Sequence, residues 1–195
     1  ACAVGTALCA VLIVDPPRPD RGAADAQQHL VNPYRGDRRL LRIHAVSVLL
    51  VVPQFTVWTY MLVWLIDTKD WSTHWASILV AVTQLLGAAG RIGVGAWSDR
   101  VGSRLVPLRQ VAVLAAATML LLGVLEPTPV AVVLIVVATV VTVADNGLAF
   151  TAVAEIGGPF WSGRAMGIQN TGQYLVSAAV PPVVGALVTG IGYEA

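Results

Sequence analysis

The sequence predicts an all-α fold, a polytopic bundle of transmembrane helices, and three observations carry that prediction. The 195 residues are 56% hydrophobic and 12% charged, with a mean hydropathy of +0.74, far from the balance of a water-soluble domain. Several apolar runs reach the roughly 20 residues that a helix needs to cross a hydrocarbon core about 30 Å thick. The basic residues gather in the connections between those runs, where they set topology. About five full spans and one partial span are expected.

The first run, residues 1–14 (ACAVGTALCAVLIV), covers only about two thirds of a span. It leads straight into DPPRPDRG without the basic start and small-residue cleavage site of a signal peptide, and is read as the end of a transmembrane helix. Cys2 and Cys9, seven apart on one helical face, are expected as buried free thiols. Residues 15–43 change to proline, glycine, aspartate and arginine without apolar periodicity, the mark of a solvated cytoplasmic linker.

The bundle proper is expected over residues 44–195. Its first span, 44–66, carries Pro53 inside it, which membrane helices tolerate because neighbours re-satisfy the freed carbonyl. The second, 76–96, runs into a short glycine- and arginine-bearing connection, and the third, 108–125, is rich in alanine and leucine. EPTP, Glu126 to Pro129, makes a tight turn because its prolines cannot continue a helix. The fourth span, 130–153, is mostly valine and alanine; β-branching favours strand in water, but this length argues for a spanning helix. The fifth, 164–188, contains Pro181 and Pro182.

With these spans alternating across the bilayer, the linker arginines (Arg18, Arg21, Arg35, Arg38, Arg39, Arg42), Arg100, Arg104, Arg109 and Arg164 fall on one side. Lys69, the single lysine, falls on the other. Basic loops stay cytoplasmic, so this segregation orients the chain and supports the span count. Trp71 and Trp75, near the outer turn, suit an interfacial aromatic belt.

The connection GVGAWSDRVGSR places Gly95, Asp99, Arg100, Gly102 and Arg104 between two antiparallel neighbours. Glycines let the backbones approach, and an acid there has two partners within reach, a nearby arginine or the positive N-terminal end of another helix. The stretch GRIGVGAWSDRVGSR resembles the loop signature of the major facilitator superfamily in its second-half copy. Glu155 to Ala195, with its Gly-Arg-Ala-x-Gly entry and Pro-Pro-x-x-Gly exit, is similar to that family's link into its eleventh helix. The resemblance covers essentially the whole chain.

It implies the second half of a major facilitator fold: the end of the sixth helix, the central loop and helices seven to eleven. It also implies alternating access by rocking of two halves about a central site, with a missing N-terminal half as the other wall. Asp99 is then expected to meet the N-terminus of the helix starting near Gly163, and Gly163 with Gly167 to offer the small face for that approach. Arg104 is expected to pair with Glu155, and Arg91, two turns before Asp99, to reach the same cytoplasmic gate or to snorkel to the interface. Ser103 stands where the family has a second basic residue, which implies a smaller charge network.

Within the spans, Asp145 is a functional candidate because a carboxylate in hydrocarbon is costly. It lies roughly 16 residues, about 24 Å, from the outer end of its helix, in the inner third of the membrane. Proton carriage, pairing with Arg91 and a structural hydrogen bond all remain open for it. Asn146, Gln54, Tyr60, Gln84, Gln169, Asn170, Gln173 and Tyr174 are candidate path-lining groups, with interhelical hydrogen bonding as the alternative for each.

No HExxH, GxSxG or phosphate-cradling loop points to an enzyme, and His29, His44 and His74 are too dispersed for a metal site. No cofactor is expected, and a net charge of +1 gives no ground for a nucleic-acid partner. The expected function is secondary active transport of a small solute, coupled to protons, in the plasma membrane. A multidrug exporter of the same superfamily and a non-transporting remnant are the alternatives. The expected partners are membrane lipid, the solute, protons and the missing half.

Overall fold

The computed structural model describes residues 2–13, 22, 30–35 and 37–191. Arg18, Arg21, His29 and the last four residues lie outside the described residues. The chain divides into two units, Ala1–Val31 and Asn32–Ala195. The first contains α1, Cys2–Leu12. Cys9, expected as a buried thiol, is free and exposed, because no second helix of that unit's described residues packs against it.

The second unit is built from α2 (Arg39–Asp67), α3 (Thr73–Val101), α4 (Leu105–Leu125) and α5 (Val130–Ile191), with no strand among the described residues. Each is long and apolar enough to cross a membrane. The helices outrun the apolar spans at several ends: α2 starts at Arg39 rather than at residue 44, and α3 extends on both sides of 76–96. The apolar run records where side chains meet lipid, whereas the helical hydrogen-bond ladder continues into the headgroup region.

A straight helix of 62 residues would be about 93 Å long, some three times the hydrocarbon thickness. α5 instead breaks at Gly158, whose φ of 64° and ψ of −175° are open essentially to glycine alone. Pro159 follows and cannot donate back into the preceding turn. The backbone closes tightly here, since a Cβ on Gly157 would lie 3.1 Å from the backbone of Ser162. The two arms of α5 run antiparallel: Asn146, 12 residues before the break, is bonded to Gln173, 15 after it. The four continuous helical segments of this unit therefore give five passes of the chain among the described residues.

α5 packs against α2, α3 and α4, and carries the most buried of the four apolar windows. One apolar cluster includes Leu40, Ile43, Leu108, Ala149 and Ala165. The other includes Met61, Trp64, Leu65, Ala76 and Ile135. Lipid is as apolar as leucine, so packing rather than water exclusion holds these helices together. Glycines let α3 approach the first arm of α5 closely: a Cβ on Gly90 would lie 2.9 Å from Val140 Cγ1, and one on Gly87 3.2 Å from Val143 Cγ2.

Candidate functional site

The α3–α4 link is three residues long and closes on Gly102, which caps α3 with a φ of 66°. This turn presents Arg104 to three groups. Its Nη1 donates to Asp99 Oδ1 and, at 3.0 Å, to Ser98 Oγ; its Nε donates to Glu155 Oε1 at 3.0 Å. Arg104 thus ties the end of α3 to α5 three residues before its break. The hydrogen bond that Arg104 donates to Asp99, then that to Glu155, holds its pKa above the ordinary value.

Asp99 makes its ion pair with Arg104. The arm following the break starts before Gly163, which lies inside the helix rather than at its N-terminus. Gly163, Gly167 and Gly95 have open space where a Cβ would stand, so they serve no close approach among the described residues. Arg100 is exposed at the end of α3. Arg91 sits apart from this cluster: its Nε donates to the carbonyl of Val143 at 3.1 Å, in the first arm of α5.

Arg91 itself lines a cleft of about 430 Å³ between α2, α3 and the two arms of α5. Gln54, Arg91, Asn146, Asn170, Gln173 and Tyr174 line it together with Phe55, Trp58 and Phe150. Asn146 Nδ2 donates to Gln54 Oε1 at 3.0 Å, and Gln173 Nε2 donates to Ser47 Oγ at 2.7 Å and to Asn146 Oδ1 at 3.2 Å. Two residues from α2 and one from each arm are joined in this way, as expected where hydrocarbon provides no other partner. Asp145 lies behind the wall, 1% exposed, with an unpartnered Oδ1 and within electrostatic reach of Arg91.

The remaining candidates fall elsewhere. Gln169 is fully buried beneath the cleft, where its Oε1 meets His44 Nδ1 at 3.0 Å, and Tyr34 Oη meets His44 Nε2 at 2.9 Å. A neutral imidazole with its proton on Nδ1 satisfies both contacts. Tyr60 belongs to a second, largely apolar cavity of about 420 Å³, and its hydroxyl donates to Pro181 O at 2.6 Å. Gln84 is exposed on α3 and lines neither space.

Sequence reasoning missed a cluster at the opposite end from Arg104. Glu126 Oε1 accepts from Trp64 Nε1 at 3.0 Å and pairs with Lys69 Nζ at 3.0 Å; Lys69 also donates to Glu126 O and stands 5.0 Å from the Trp64 ring centroid. Both charged side chains are largely buried. The only available signal was that Lys69 and Glu126 occupy the two connections predicted for that side.

The family model of the Major Facilitator Superfamily matches residues 1–181. The chain belongs to the major facilitator superfamily. It is 50% identical over 194 residues, 98% of its length, to "Uncharacterized MFS-type transporter Rv2994" of Mycobacterium tuberculosis (strain ATCC 25618 / H37Rv). It is 49% identical over the same length to "Uncharacterized MFS-type transporter MT3072" of Mycobacterium tuberculosis (strain CDC 1551 / Oshkosh). The match covers 43% of each, so the chain spans less than half the length of the curated relatives it matches. No solved structure matches it. Membership of this superfamily, with helices of membrane length, makes it a multi-pass membrane protein of a transport family.

Proposed function

We propose that the chain forms one half of a secondary active transporter in the plasma membrane, moving a small solute by alternating access with proton coupling. The observation that carries this reading is the polar cleft, where Gln54, Asn146 and Gln173 bond to one another inside apolar helices and remain open on one side. A missing N-terminal half is the natural second wall. The arginine-bearing ends face the cytoplasm, following the bias of basic loops. The Arg104 tie to Asp99 and Glu155 then holds the cytoplasmic side closed, and Asp145 carries the proton.

Reconstituting the chain and a full-length protein containing it side by side, with a solute panel and an imposed proton gradient, tests the reading. Flux is expected from the full-length protein only, and flux from neither sinks it in favour of the non-transporting alternative. Asp99→Asn is expected to slow uptake while membrane insertion stays intact. Asp145→Asn is expected to flatten the pH dependence of uptake at unchanged expression. A second reading, export of bulky lipophilic compounds, draws on the apolar cavity beside Tyr60 and Trp64. Lipophile flux that is indifferent to substitutions in the polar cleft would favour it.

A further inference from the structure

We propose that the cleft selects an organic anion with an aromatic or otherwise apolar body, and that Arg91 binds its anionic end. This rests on the reading of the cleft as the solute path. Among the residues lining the cleft, Arg91 is the one with a formal charge. Asp145 does not line it and offers no surface carboxylate to a cation.

The guanidinium is held in place rather than free to wander. Gly87 and Gly90 bring α3 against Val140 and Val143 so closely that Arg91 Nε reaches the Val143 carbonyl of the neighbouring helix. That bond engages Nε, and the two Nη groups of this cleft-lining residue make no hydrogen bond among the described residues. A planar fork of donors with a fixed stem matches a carboxylate, and does so better than a mobile ammonium. Asn170 stands in the same wall without a hydrogen bond among the described residues, so its amide is available to the solute.

The rest of the lining suits an apolar body. Phe55 and Trp58, with ring centroids 5.7 Å apart, form one side, and Phe150 and Tyr174 add two more rings. About 430 Å³ is the volume of a small-molecule site. An organic cation would face Arg91 without a partner, and a neutral apolar solute would strip water from the guanidinium and amides without replacing its hydrogen bonds.

Three probes sharing one ring and differing in head group test this: phenylacetate, phenylacetamide and phenethylamine, titrated into the chain in phosphatidylcholine nanodiscs. Trp58 fluorescence is the readout, assigned by the Trp58→Phe difference. Phenylacetate is expected to quench saturably, and the amide and the amine to bind roughly tenfold or more weakly, the scale of a charge-assisted fork. Arg91→Gln is expected to bring phenylacetate to the amide's level, Arg91→Lys to restore part of the difference, and Asn170→Leu to weaken it less. Amine binding as tight as carboxylate binding, unchanged affinity in Arg91→Gln, or saturable quenching by none of the three would overturn the proposal. If Arg91→Gln does not fold, the head-group comparison on the unaltered chain decides alone. The flux assay fails separately: transport of other solutes alongside a negative binding result removes the anion class only, whereas absent flux removes the transport reading.

Discussion

At the scale of single residues, the ion clusters of Arg104 and of Lys69 differ in burial, and that difference decides what each can do. The Asp99 and Glu155 side chains are 66% and 53% exposed, so water screens their attraction to Arg104 and the tie can open and close. Lys69 and Glu126 are only 14% and 10% exposed. Removing one partner of such a pair strands the other, so Glu126→Gln is expected to cost about 3 kcal/mol in denaturant or thermal unfolding. Adding Lys69→Met should recover much of that loss, because the stranded ammonium is gone; a double-mutant cycle measures the coupling. Little of this was legible beforehand. Arg104 and Glu155 stood out through motif and position, but nothing in the spacing pairs Lys69 with a residue 57 positions away. Arg91 lies on the same helix as Asp99, yet bonds to α5 within the membrane because α3 packs glycine-first against that helix.

Among the elements, α3 records how glycines divide between packing and lipid. Gly90 touches Val140, whereas Gly93, less than one turn on, has open space around it. Gly90→Leu is therefore expected to destabilise the bundle by about 1–3 kcal/mol through overpacking, and Gly93→Leu to leave the melting temperature nearly unchanged. Both glycines look alike in sequence, since only the neighbouring helix distinguishes them. The same limit applies to α5. Hydropathy separates its two crossings by a polar stretch, but that stretch is helical on both sides of Gly158, and the reversal is confined to residues 157–159. Composition registers where lipid begins; it does not register where the backbone turns. Prolines were better guides: EPTP marks the α4–α5 connection, and Pro159 follows the break directly.

For the whole molecule, the number of crossings and the side of each loop stand or fall together. Short connections make successive helices antiparallel, which puts Lys69 and Arg100 at opposite ends of the bundle. With Cys2 and Cys9 replaced by alanine, Thr68→Cys, beside Lys69 and exposed, and Arg100→Cys are expected to label with a membrane-impermeant maleimide from opposite compartments. Labelling from one compartment would break the topology. The helical bundle was legible because hydrocarbon imposes both length and apolarity on each crossing, while the cleft was legible only as separate polar letters that folding brings to one place.

The unequal burial of the two charge clusters makes ordinary salt an end-selective reagent. A Debye length of about 3 Å at 1 M reaches the open Arg104 tie but hardly the sheltered Lys69 pair. Concentrated sodium chloride should therefore hasten protease cutting or hydrogen exchange around the α3–α4 link and the Gly158 turn, and leave the Glu126 corner as it was. A brine titration followed by mass spectrometry would read out which extremity of the bundle is built to let go.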